Sequence, residues 1–355
     1  MSTKILDNKE NVALQPAYGL WQQYQPENAR YAFRAKTFTE AQKWQAETRK
    51  ALAQTIGLQG MSDSPLRPQL LESVDKGDYM REKVLLQTSE HCLMPVYLLL
   101  PEQAQGPLPV VLAFHGHGYG VKDIVGLWED GEERNTPDGY HKDFAVELCR
   151  AGFAVAAPEI ACFGERQTDF SYLNHIVEQP VPTTCTHAAM LAFHLGTSVL
   201  GMRIHDGMRL VDYLEARPEF DTDRLGAMGI SGGGMHSFFS TCLDERIRAC
   251  VVSGYFSTFR DSILAMAHCA CNFVPGLGQF GEMCDLAGLI APRPLLVESG
   301  SYDPIFPRQA VEQSVGKATS VYKVLEGQAI ETDYFEGRHQ ISGEKAYEFL
   351  RKALD

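Results

Sequence analysis

From about Asp78 onward, short and nearly uninterrupted apolar runs recur along the chain: Met94–Leu100, Pro109–Phe114, Phe153–Ala157, Leu225–Ile230, Ala249–Val252 and Pro294–Val297. Each has the length of a strand, and several are bounded by Gly, Pro or Asp. Continuous apolar runs without alternation suit strands covered on both faces, as in a parallel sheet. Between them the apolar spacing predicts helices at His141–Arg150, about 188–216, Gly234–Asp244, Arg308–Val315 and Glu344–Leu354, with a last strand at about 329–334. Strands alternating with helices predict an α/β class: a doubly wound, mostly parallel sheet that residues 79–355 can form as one domain.

Two stretches depart from this alternation. Residues 1–78 read as an N-terminal helical extension. Within it, Thr39-Glu-Ala-Gln42 resembles a capping box, and Ala41, Trp44, Ala51, Leu52 and Ile56 predict an amphipathic helix ended by Gly57. Ser62–Pro68 reads as a loop. Residues 255–289 carry Cys269, Cys271, Pro275 and several glycines; they predict a lid or pocket wall above the carboxyl ends of the strands.

The chemistry-bearing pattern is Gly229-Ile-Ser-Gly-Gly233, placed directly after a predicted strand and before a predicted helix. A sharp strand-to-helix turn flanked by small residues exposes a serine hydroxyl at its apex, so Ser231 is the candidate nucleophile. A hydroxyl needs a base and an orienting carboxylate. His339 follows the last predicted strand, and Asp303 follows the run Pro294–Val297, with Glu298 in reserve. The chain order Ser231, Asp303, His339 is that of a hydrolase triad. His115-Gly-His-Gly118 follows the run Pro109–Phe114, and the backbone N–H groups of His117 and Gly232 are the candidate oxyanion donors. An HxH pair alone lacks further ligands at useful spacing, and Gly116-His-Gly-Tyr-Gly120 misses the dinucleotide spacing, so neither metal nor cofactor is expected. His268-Cys-Ala-Cys271, with Cys284, reads as packed thiols.

Composition narrows the partners. The chain has 355 residues, 45% hydrophobic and 22% charged, with a net charge of −13. That balance disfavours nucleic acid and anionic membrane surfaces. No run reaches the roughly 18 apolar residues that span a bilayer. The first ten residues have no apolar leader core, and the odd set of nine cysteines suggests no disulfide framework, so a cytoplasmic location is expected. Oligomeric state is left open.

Taken as an ordered set, Pro95–Pro101, Phe114-His-Gly-His-Gly118, Pro158–Arg166, Asp221–Gly234 and Gly300–Pro307 resemble the corresponding blocks of α/β-hydrolases of the dienelactone-hydrolase and acetyl-xylan-esterase-like group. The resemblance covers about residues 79–355. It implies an α/β-hydrolase fold and a serine enzyme cleaving a small-molecule carboxylic ester through Ser231, His339 and Asp303, without a cofactor. Two departures limit it: deacetylating relatives commonly have Gln where this chain has Gly232, and dienelactone hydrolases proper use Cys where it has Ser231. Glu165 and Arg166 fit either a pocket or a loop ion pair. A prolyl-oligopeptidase-like peptidase or amidase shares the catalytic fold, but residues 1–78 cannot form a propeller. A non-catalytic binding module is the third reading.

Overall fold

The computed structural model of the protein describes residues 14–102, 106–169 and 185–355. Nine strands, β1 (Gln69–Asp75), β2 (Tyr79–Ser89), β3 (Cys92–Pro101), β4 (Leu108–Phe114), β5 (Ala154–Pro158), β6 (Phe220–Ile230), β7 (Ala249–Ser253), β8 (Leu295–Gly300) and β9 (Glu331–Phe335), form one sheet in the order β1-β2-β3-β5-β4-β6-β7-β8-β9. The pairings β1–β2, β2–β3 and β3–β5 are antiparallel, and those from β5 through β4 to β9 are parallel.

Helices cover both faces, which explains the unbroken apolar runs. The side chains of β4 alternate between two cores. Val110, Leu112 and Phe114 pack with α2 (Phe38–Thr55), α5 (Val199–Glu215) and α6 (Gly232–Leu243). Val111 and Ala113 pack with Phe144 and Leu148 of α3 (Phe144–Arg150) and Phe349 and Leu350 of α9 (Ala346–Leu354). Each Val, Leu or Phe so buried contributes about 1.5–3 kcal/mol.

Several elements differ from expectation. The predicted helix over about 188–216 is two helices, α4 (Cys185–His194) and α5, broken where Gly196 adopts φ +74° and Ser198 caps α5 through the Gly201 N–H. The capping box of α2 is Thr37 with Glu40, a pairing two residues earlier than Thr39 with Gln42. The predicted helix from Arg308 runs on to Val324 as α8, because Ala318 and Val321 extend its buried face. Strand β1 lies ahead of Asp78, so the first 78 residues supply a sheet edge as well as α1 (Pro16–Gln23) and α2.

The N-terminal segment clasps the 255–289 excursion, which includes the short helix α7 (Met283–Leu286). Tyr24 donates to Glu282 Oε1 (3.0 Å), the Phe33 N–H to Asp285 Oδ1 (2.8 Å) and the Tyr31 N–H to Gln279 O (2.8 Å). Gln45 donates to the carbonyls of Gly288 (2.6 Å) and Ala291 (2.7 Å), and the Trp44 ring leaves no room for a side chain at position 288.

Candidate active site

The carboxyl ends of β4, β6, β8 and β9 converge on one cavity of about 260 Å³. Ser231 stands between β6 and α6 at φ 57°, ψ −119°, a conformation costly for a side-chain-bearing residue and held by the surrounding turn. The flanking glycines are sterically required. A Cβ at Gly233 would lie 1.8 Å from Phe114 O, and one at Gly229 would lie 2.4 Å from Gly233 O. The Ser231 N–H donates to Ser253 O (3.0 Å), and α6 begins at Gly232.

His339, on the loop after β9, lines the same cavity as Ser231. Its Nδ1 is 2.7 Å from Asp303 Oδ2, on the loop after β8. The other oxygen of Asp303 accepts the N–H groups of Ile305 (2.9 Å) and Phe306 (3.1 Å), so the carboxylate is fixed before it meets the imidazole. The His339 ring lies between Tyr140 and Phe306, with centroids at 5.4 and 5.8 Å. Glu298 is placed elsewhere. It is buried within β8, where it accepts from Ser253 (2.6 Å) and the Gly343 N–H (2.8 Å), and burial pushes its carboxyl up to about 6.

His117 and Gly232 meet at the cavity wall. A Cβ at Gly232 would come within 3.1 Å of His117 Nδ1, so the missing side chain makes room for that ring. Burial alone would lower the His117 pKa, but hydrogen bonds with Cys269 and Cys271 outweigh it and raise the value to about 9. Among the described residues one group has metal-ligand spacing: the donor atoms of His117, Cys269 and Cys271 lie within 4.8 Å of one another.

A second set of residues, none of them singled out in the sequence, holds the loop that carries His117. The Gly116 N–H donates to His141 Nε2 (2.8 Å), and His141 Nδ1 is 2.8 Å from Asp123 Oδ2. Burial lowers the His141 pKa, keeping the ring neutral and Nε2 able to accept. Asp123 accepts from Arg134 (3.0 Å), which also reaches Asp143. Tyr140 donates to His117 O (2.5 Å) while its ring lies beside His339. Burial raises the Tyr140 pKa and keeps it a donor. The only sequence signal was an Asp, a Tyr and a His within a polar stretch without a motif.

Tyr255, His268, Cys269 and Asn272 bring the 255–289 excursion into the cavity wall. Glu165 and Arg166 lie apart, pairing with Lys83 (2.7 Å) and Asp206 (2.7 Å).

Residues 13–314 match the Abhydrolase family. The chain belongs to that family. Its fold is the α/β-hydrolase fold, and its architecture is similar to that of acetyl-xylan-esterase-like members. A curated relative, a provisionally named hydrolase YtaP of Bacillus subtilis (strain 168), is 28% identical over 287 residues, 78% of this chain and 87% of that protein. Among solved structures, a Bacteroides fragilis NCTC 9343 protein provisionally named an acetyl xylan esterase superposes with TM-score 0.73 at 16% identity, covering 96% of this chain and 90% of that one. The glucuronoyl esterase of Solibacter usitatus superposes with TM-score 0.62 at 17% identity, covering 88% and 93%. Among the described residues of this family member, no helix is long and apolar enough to cross a membrane.

Proposed function

We propose that this Abhydrolase family member is a serine hydrolase of carboxylic esters. The observation that carries the reading is the His339–Asp303 pair at 2.7 Å, opening on the same cavity as Ser231 at its left-handed turn. Ser231 Oγ attacks the ester carbonyl carbon as its proton passes to His339 Nε2, while Asp303 keeps the other proton on Nδ1. The N–H groups of His117 and Gly232 receive the oxyanion. Collapse breaks the bond to the alcohol, which leaves with the proton from His339. Water then gives a proton to His339 and attacks the acyl-serine, releasing the carboxylic acid and Ser231.

The names of the superposing esterases favour an ester over an amide, and a cavity below the usual ligand range favours a short acyl group. All nine cysteines are free thiols, which fits a reducing compartment. Ser231→Ala is expected to fold normally and to lose activity on a short acyl nitrophenyl ester by about a millionfold. A fluorophosphonate should label Ser231 in the unsubstituted protein only. Activity of the variant within about tenfold of the unsubstituted enzyme would overturn the assignment. Faster cleavage of a matched peptide amide than of the ester would instead favour a peptidase.

A further inference from the structure

Cys269 and Cys271 turn their sulfurs toward His117, with Cys271 Sγ 3.9 Å from His117 Nε2. Cys185, at the start of α4, neighbours both Cys269 and Cys271, and Cys162 neighbours Cys185. Folding therefore gathers four sulfurs and an imidazole from distant parts of the chain into one cluster, with His117 and Cys269 half-buried at the cavity wall and the other three behind them. Cys162, Cys185 and Cys271 are 7%, 4% and 1% exposed.

Arg203 gives the cluster a charge requirement. It is fully buried in α5, its Nη2 approaches Cys185 Sγ at 3.7 Å, and its remaining hydrogen bonds go to the Ala161 carbonyl. Its Nη1 has no hydrogen-bond partner, and its guanidinium lies over the Phe163 ring. A buried cation needs a compensating anion, and the thiols of Cys271, Cys185, Cys162 and Cys269 around it are groups that can supply one.

We propose that His117, Cys185, Cys269 and Cys271 form a binding site for a thiophilic divalent cation of the zinc type. Thiolate and imidazole donors select such ions and reject magnesium or calcium. Zinc–sulfur bonds of about 2.3 Å and zinc–nitrogen bonds of about 2.0 Å put tetrahedral donors somewhat under 4 Å apart. His117, Cys269 and Cys271, already within 4.8 Å of one another, need only a small contraction, and Cys185 completes the set by a shift of its side chain toward them. Each coordinated thiol, and the protonated ring of His117 at Nε2, gives its proton to the solvent. Three thiolates, a neutral imidazole and a dication then sum to one negative charge, which matches Arg203. Ligation through Nε2 would tie the 255–289 excursion to the loop carrying His117, so the ion braces the cavity wall and takes no part in acyl transfer. The site stands whether or not the ester reading does.

The test uses the full chain, reduced with a phosphine and stripped of metal by chelator dialysis. Zn²⁺ alone is titrated against a chromophoric chelator, and Co²⁺ alone is followed by absorption. The expected result is one equivalent bound, a thiolate-to-cobalt charge-transfer band in the near ultraviolet and a Tm raised by Zn²⁺. Cys269→Ser and Cys271→Ser should each weaken binding by more than about tenfold, while Cys284→Ser leaves it unchanged; circular dichroism checks the fold of each. A stoichiometric cobalt complex without the charge-transfer band overturns the proposal even if the variants fail to fold. So does metal uptake that survives in the Cys269→Ser/Cys271→Ser double variant. Loss of two titratable thiols before reduction, with no metal bound after it, assigns the cluster to disulfide chemistry and also overturns the proposal.

Discussion

His141 and His339 each hold an aspartate through Nδ1, at 2.8 Å from Asp123 and 2.7 Å from Asp303, and the ring of Tyr140 neighbours both. The two pairs differ at the other ring nitrogen. His141 Nε2 is occupied by the Gly116 N–H and its ring is wholly buried, whereas His339 faces the cavity that Ser231 lines. A carboxylate at Nδ1 therefore does not by itself make a base. In one pair it fixes an acceptor for a structural amide; in the other, under the proposed mechanism, it prepares an imidazole for proton transfer.

Exchanging the roles of these pairs should separate them experimentally. Between the two pairs the larger effect is expected from Asp303→Asn, which keeps the amide contacts of Ile305 and Phe306 but favours the wrong His339 tautomer; kcat should fall by about 10⁴. A loss under about tenfold would remove Asp303 from the relay. His141→Phe removes the acceptor for Gly116 and should lower kcat by about 10²–10³ through a displaced oxyanion loop. The pKa read from the kcat–pH profile should stay in place, and His141→Gln, which restores an acceptor, should recover much of the rate. A shifted pKa in the Phe variant would make His141 part of the titrating machinery.

The smallest effect concerns a third carboxyl. Burial raises Glu298 from 4.5 to about 6, so folding favours its protonated form. The resulting stability is fully present below the unfolded pKa and disappears as pH rises through about 6, a loss of about 2 kcal/mol. Glu298→Gln should flatten the denaturation midpoint across that window. An unchanged slope would show that Glu298 is not its source.

The catalytic candidates were legible because their signals are local: a glycine-flanked serine after a strand, an Asp-Pro loop and a histidine before the last helix. The central strands were legible because both faces are covered. Strand β1 was not, since its side chains lie mostly exposed, Leu70 and Leu71 included, and its few apolar positions do not mark a buried face. The division between α4 and α5 depended on Gly196 and the Ser198 cap inside a longer apolar stretch. His141 with Gly116, and His117 with Cys271 across 154 residues, are products of tertiary packing for which spacing offers no sign.

The clasp of the N-terminal segment on the excursion bears on how the molecule comes into being. Tyr24, Phe33 and Gln45 find their partners some 240 to 260 residues later, at Glu282, Asp285 and Gly288. During synthesis the segment that carries Tyr24, Phe33 and Gln45 must wait for these later partners to emerge, with part of its apolar surface unburied. The cavity wall is thus braced late, and a ribosome-bound fragment ending before residue 282 lacks the partners that brace it.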